Sequence, residues 1–152
     1  TPVDDENIPT GELMSVDNTP MDFREAKTIG QDLESDFPQI SRAKGFDHNY
    51  VLNNYRRGEL QTVAEAESQV TGIHMEVKTD MPDMQFYTGN AIEMQPGKAG
   101  AVYGPYSGFC METQFAPNAV NDPHVTSPVL RPGEKYHSVT VYRFFVEEDK
   151  ER

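Results

Sequence analysis

At 152 residues the chain has the length of one ordinary domain and can bury a real core. Its 25 acidic and 13 basic residues leave a formal charge of −12 and a pI near 4.6. That balance argues against a nucleic-acid binder, which needs clustered Lys and Arg, and against docking on an anionic membrane surface. No run approaches the ~18 apolar residues of a membrane-spanning helix. The single Cys110 can neither close an intrachain disulfide nor build a cysteine-based zinc site, and the compartment stays open.

The opening Thr1-Pro2-Val3-Asp4-Asp5 reads like the middle of a connection, so a piece of a longer polypeptide is expected, with any targeting signal upstream. The one helix candidate is Arg24 to Leu33, where Phe23, Ala26, Ile29 and Leu33 have roughly helical spacing. Gly30 weakens it, and a single short turn fits as well. Thr62 to Ser68 alternates Ala with Glu as a weak strand. In Gly72 to Met81, Ile73, Met75 and Val77 alternate with His74, Glu76 and Lys78, the pattern of a strand with one wet face. Asp83 to Thr88 follows a Met-Pro-Asp turn and ends at Gly89-Asn90, predicting a further strand. Pro132-Gly133 signals a turn before the last strand, Ser138 to Val146, whose β-branched and aromatic residues read as apolar on both sides. The run from Glu147 to Arg152 is expected to be a solvated, charged tail. Eleven Gly and eleven Pro punctuate these short strands, which predicts an antiparallel all-β fold, a sandwich or barrel.

Three positions could carry chemistry. Gly45-Phe46-Asp47-His48-Asn49-Tyr50 sets an acid, an imidazole and an amide between aromatics. Such acceptors beside ring faces suit a sugar, while an Asx-rich turn closed by its own side chains is the competing reading. Gln85, flanked by Met84 and Phe86, either points into a cleft or lies on the wet face of its strand. Glu112 is the one acid between Val102 and Asn121. A carboxylate in such surroundings is expected to be desolvated, which suits a general acid or base; the alternative is the solvent face of a strand. Cys110, two residues earlier, should share its face and behave as a small buried hydrophobe. His48, His74, His124 and His137 are scattered without ligand spacing, which argues against a metal site. No phosphate-binding loop or nucleophile elbow occurs.

Seven ordered blocks resemble the aldose 1-epimerase (galactose mutarotase) family: Ile8-Pro-Thr-Gly11, Thr19-Pro-Met-Asp-Phe-Arg24, Gly45-Phe-Asp-His-Asn-Tyr-Val-Leu-Asn53, Gln85-Phe-Tyr-Thr-Gly-Asn90, Ser107-Gly-Phe-Cys-Met-Glu-Thr-Gln114, Pro117-Asn-Ala-Val-Asn121 and Leu130-Arg-Pro-Gly-Glu-Lys-Tyr136. The resemblance implies an antiparallel β-sandwich of the galactose mutarotase type. It also implies interconversion of the anomers of aldohexoses such as glucose and galactose, with no metal or organic cofactor. It makes Glu112 the catalytic base and puts Asp47 and Gln85 in the sugar site. The family's histidine acid lies in a block preceding Ile-Pro-Thr-Gly that this sequence does not contain, and His48 does not match its motif. Residues 1–152 are therefore expected to be the C-terminal half of one mutarotase-like domain, with a second chain carrying the N-terminal half and its catalytic histidine. A non-catalytic carbohydrate-binding or structural β-sandwich is the alternative. Pro105-Tyr106 departs from the basic residue or His that relatives often carry there, which bears on the cleft rim and not on Glu112.

Overall fold

The computed structural model describes residues 1–146, and the expected charged tail, 147–152, lies outside the described residues. The chain forms two compact units: Thr1–Tyr50 with Gln85–Glu112, and Val51–Met84 with Thr113–Arg152. Helix is scarce and the sheets are antiparallel, as the turn-punctuated alternation predicts.

In the first unit the expected helix at 24–33 resolves to a 3-10 turn, Ile29–Asp32. It has no side-chain cap, and Gly30 sits inside it. Helix α1, Pro38–Ala43, goes unread in the sequence because six residues are too few to show a period. Pro38 pre-sets the first helical φ, and Lys44 ends the helix in the left-handed conformation with its N–H on the Ile40 carbonyl. The chain then enters β1, Asp47–Val51.

Strand β2 spans Gln61–Glu67, β3 Ile73–Thr79 and β4 Asp83–Tyr87. A two-residue hairpin follows, β5 Gln95–Pro96 with β6 Val102–Tyr103, then β7 Cys110–Gln114 and β8 Thr140–Val146. One three-stranded sheet has the order β1-β4-β7 and another β2-β3-β8.

The core of the first unit is Met21, Ile40, Phe46 and Phe86, with Phe23, Tyr50 and Met111 among the side chains packed on it. Phe23 stands edge-on to Phe46 at 5.0 Å and to Phe86 at 5.2 Å, the geometry that aligns a ring's positive edge with a negative face. Phe46 on the approach to β1, Phe86 on β4 and Met111 on β7 thus define one side of the first sheet as the core side. The junction between α1 and β1 is locked by Asn90, whose Nδ2 donates to the carbonyls of Ala43 at 2.9 Å and Phe46 at 3.0 Å. Gly45 is required there: its φ is +132°, and a Cβ would lie 2.6 Å from Asn90 Oδ1.

In the second unit β3 is the central strand. Ile73, Met75, Val77 and Thr79 face the same side as their partners Val146, Phe144, Tyr142 and Thr140, because paired residues of an antiparallel ladder share a face. Val77 and Thr79 are fully buried. The other end of this face is open: Ile73 is 45%, Val146 60% and Phe144 64% exposed. Strand β8 therefore does not have the two covered sides its composition suggests. It is the edge strand of its sheet, and no described residue covers its outer half.

Candidate active site

Alternation along each strand decides which way the candidate residues point. On β1, Phe46 and Tyr50 belong to the core side, so Asp47 and Asn49 take the opposite side. On β4, Phe86 goes to the core and Gln85 and Tyr87 oppose it; on β7, Met111 goes to the core and Cys110 and Glu112 oppose it. Asp47, Gln85 and Glu112 thus come from three adjacent strands onto one face of one sheet, with Gln85 on the middle strand. The block that could have been an Asx turn is a strand.

Gln85 and Asp47 are in direct contact. Nε2 of Gln85 donates to Oδ1 of Asp47 at 2.7 Å, and both residues are half-buried. Of the two readings left open for Glu112, the solvent face of a strand holds, for it is exposed and not covered by its apolar neighbours in sequence. The physical reason is the strand's alternation. Met111 takes the apolar environment on one side of β7 and Glu112 faces the uncovered side. Cys110 shares the Glu112 face as expected, but it is exposed where a buried thiol was expected. Partial desolvation, and then the charge of Glu112, push its thiol up from the ordinary value. A raised thiol has less thiolate, so Cys110 is a poor nucleophile.

The histidines do not converge. His48 lies on the core side of β1, 2% exposed, and its Nδ1 accepts the Asp47 backbone N–H at 3.0 Å. Burial, opposed by neighbouring Asp47, lowers it to about 4, so at neutral pH it is an uncharged core residue. His74 stacks on Phe145 in the second unit. His124 and His137 are exposed.

Two further side chains share the site face: Asn49, read in the sequence only as the amide of its block, and Tyr87, which was not singled out. Asn49 is buried, and the Tyr87 hydroxyl accepts the Ala91 N–H at 3.0 Å. The signal was available, since both stand two residues from a candidate on the same strand, but it becomes useful only once 47–51 is known to be a strand. Loop 104–109 approaches the ends of these strands. Tyr106 adopts φ +62°, uncommon for a bulky residue, and its hydroxyl donates to the Lys44 carbonyl at 2.6 Å.

A half-buried carboxylate held by an amide, with a second carboxylate two strands away and the Tyr87 ring on the strand between, can accept hydroxyl protons and move one. Comparison with known proteins narrows the class: the model of the aldose 1-epimerase family matches residues 1–143, and the chain belongs to that family. It is 44% identical over 146 residues to the galactose mutarotase of Sus scrofa, covering 95% of this chain and 41% of that protein. To the aldose 1-epimerase of Escherichia coli (strain K12) it is 36% identical over 148 residues, covering 96% of this chain and 42% of that one. Among solved structures, a GalM/aldose epimerase homologue from C. elegans superposes with a TM-score of 0.75 at 28% identity, over 95% of this chain and 42% of that one. The chain therefore spans about two fifths of the length of the curated relatives it matches.

Proposed function

We propose that this chain forms the base-bearing, sugar-binding part of an aldose 1-epimerase that interconverts the α and β anomers of aldohexoses such as glucose and galactose. The observation that carries the reading is the convergence of Asp47, Gln85 and Glu112 on one face of the β1-β4-β7 sheet, with the first two in contact at 2.7 Å. Asp47 and Gln85 hold sugar hydroxyls. Glu112 removes the C1 hydroxyl proton while an acid protonates the ring oxygen, and the ring opens to the free aldehyde. Rotation about C1–C2 and closure on the other face, with both proton transfers reversed, give the other anomer. A neutral sugar needs no cationic clamp, so the acidic composition is no obstacle.

The acid comes from outside residues 1–152, which match about two fifths of the length of the curated relatives. The apolar, open end of the β3–β8 face supports a further part of the domain packing against these strands, because apolar strands left in water favour association. In the assembled protein Glu112→Gln lowers the rate of anomer interconversion, followed by polarimetry, by about 100-fold or more while sugar binding survives. An unchanged rate would remove Glu112 from the mechanism.

A further inference from the structure

We propose that Tyr106 is a positioning residue that fixes the entry of β7 against the entry of β1, and with it the spacing of Glu112 and Asp47. The inference deepens the functional reading above and rests on it. In the order β1-β4-β7 the two carboxylate-bearing strands are not neighbours, so no ladder between them sets that spacing. Tyr106 reaches across the end of β4 instead. Its hydroxyl donates to the Lys44 carbonyl at 2.6 Å and its N–H to the Gly89 carbonyl at 3.3 Å. Lys44 stands just before the start of β1, Gly89 just after the end of β4, and Tyr106 on the loop that leads into β7.

Tyr106 is held there against a conformational cost. Gly104-Pro105-Tyr106-Ser107 is a turn closed by the Ser107 N–H on the Gly104 carbonyl at 3.1 Å, with the Gly104 N–H on Ser107 Oγ at 2.9 Å. Tyr106 takes its third position at φ +62°, where Gly or Asn ordinarily stands because a Cβ is penalised. A bulky residue persists in such a place only when its surroundings over-determine it. Here those surroundings include the two acceptors on Lys44 and Gly89. Gly89 completes the seat: a Cβ on it would lie 2.9 Å from the Gly108 carbonyl oxygen, so the backbone of the loop rests directly on the end of β4. On the β1 side, Asn90 holds the carbonyls of Ala43 and Phe46, and the Lys44 carbonyl between them is given to the β7 loop. A sugar that meets Asp47 and Glu112 together thereby finds them at a preset separation, which lowers the ordering cost of binding.

Two variants of the chain separate this role from a merely structural one. Tyr106→Phe keeps the ring and the strained turn and loses the donor. Tyr106→Gly also loses the donor but relieves the turn, so its urea midpoint is no lower than that of Tyr106→Phe. The spacing is read with a nitroxide on Cys110, the single cysteine, which is exposed on β7. In the unsubstituted chain the label broadens the 1H–15N signals of residues 44–50, and in both variants that broadening falls. Titration of the unlabelled chains with D-galactose shows affinity weakened by about three- to tenfold in both variants, the effect of one misplaced hydrogen bond. A merely structural Tyr106 predicts that Tyr106→Gly recovers both readouts, and that recovery would overturn the proposal. Unchanged broadening in Tyr106→Phe would overturn it too, as would broadening that falls while affinity stays the same. In each of those cases the unsubstituted chain still binds galactose and only this inference fails. If the unsubstituted chain binds no galactose, the functional reading itself fails and takes this inference with it.

Discussion

His48 makes the stability of this chain depend on pH in a window that no shifted carboxylate shares. Its imidazole is almost fully buried on the core side of β1, where burial lowers it from 6.5 to about 4. Above pH 6.5 the folded and unfolded states both hold it neutral, and stability is at its full value. As pH falls below 6.5 the unfolded chain takes up a proton that the folded chain refuses, so stability drops until about pH 4, where the folded state also protonates. At about 1.4 kcal/mol per pH unit, the loss across the window comes to about 3 kcal/mol. Asp22, held near 2 by hydrogen bonds from Arg24, loses its contribution only as pH falls below the ordinary aspartate value of 3.8, outside this window.

His48→Leu removes the titration at similar volume. It also removes the buried Nε2, which has no hydrogen-bond partner among the described residues, and it strands the Asp47 N–H that Nδ1 accepted. Those two effects are each about 1–3 kcal/mol and opposite in sign, so the readout is the slope and not the absolute stability. Urea unfolding at a series of pH values between about 7.5 and 4.5, followed by far-UV circular dichroism because the chain has no Trp, gives that slope. The original chain loses about 3 kcal/mol more than the variant across the window. Equal slopes would refute the reasoning.

Two other outcomes follow from the packing. Phe86→Ala removes the ring that stands edge-on to Phe23 at 5.2 Å and lowers stability by about 3–5 kcal/mol in the same urea assay; a loss under about 1 kcal/mol would mean this core is not the one holding the site sheet. Gly45→Ala forces a Cβ against Asn90 Oδ1 at 2.6 Å and a strained φ, so its unfolding midpoint shifts down by more than about 1 kcal/mol equivalent.

Much of the fold was legible in local pattern. The alternation read at 72–81 and the Ala/Glu run at 62–68 became β3 and β2, and 83–88 became β4 behind its turn, each with slightly different bounds. Strand β1 was not legible because Asp47, His48 and Asn49 have low strand propensity; pairing beside β4 and burial of Phe46 overrode it. Helix α1 rests on a proline start and a left-handed Lys44 that carry no periodic signal. The exposure of Glu112 and of Phe144 was hidden for a different reason. Burial depends on what packs over a residue from elsewhere, and neighbours in sequence do not report it. The candidate site was readable as residue types, and its facing direction follows from parity within each strand. That all three residues share one face needed the strand order β1-β4-β7, a long-range fact.

The most direct measurement of the central claim is the map of galactose-induced shifts in the 1H–15N spectrum of the chain. The sugar face predicts shifts concentrated at Asp47, Gln85, Tyr87 and Glu112, with the core-side amides of Phe46 and Phe86 moving little. Shifts centred on the β2-β3-β8 sheet, or none at saturating sugar, would contradict it.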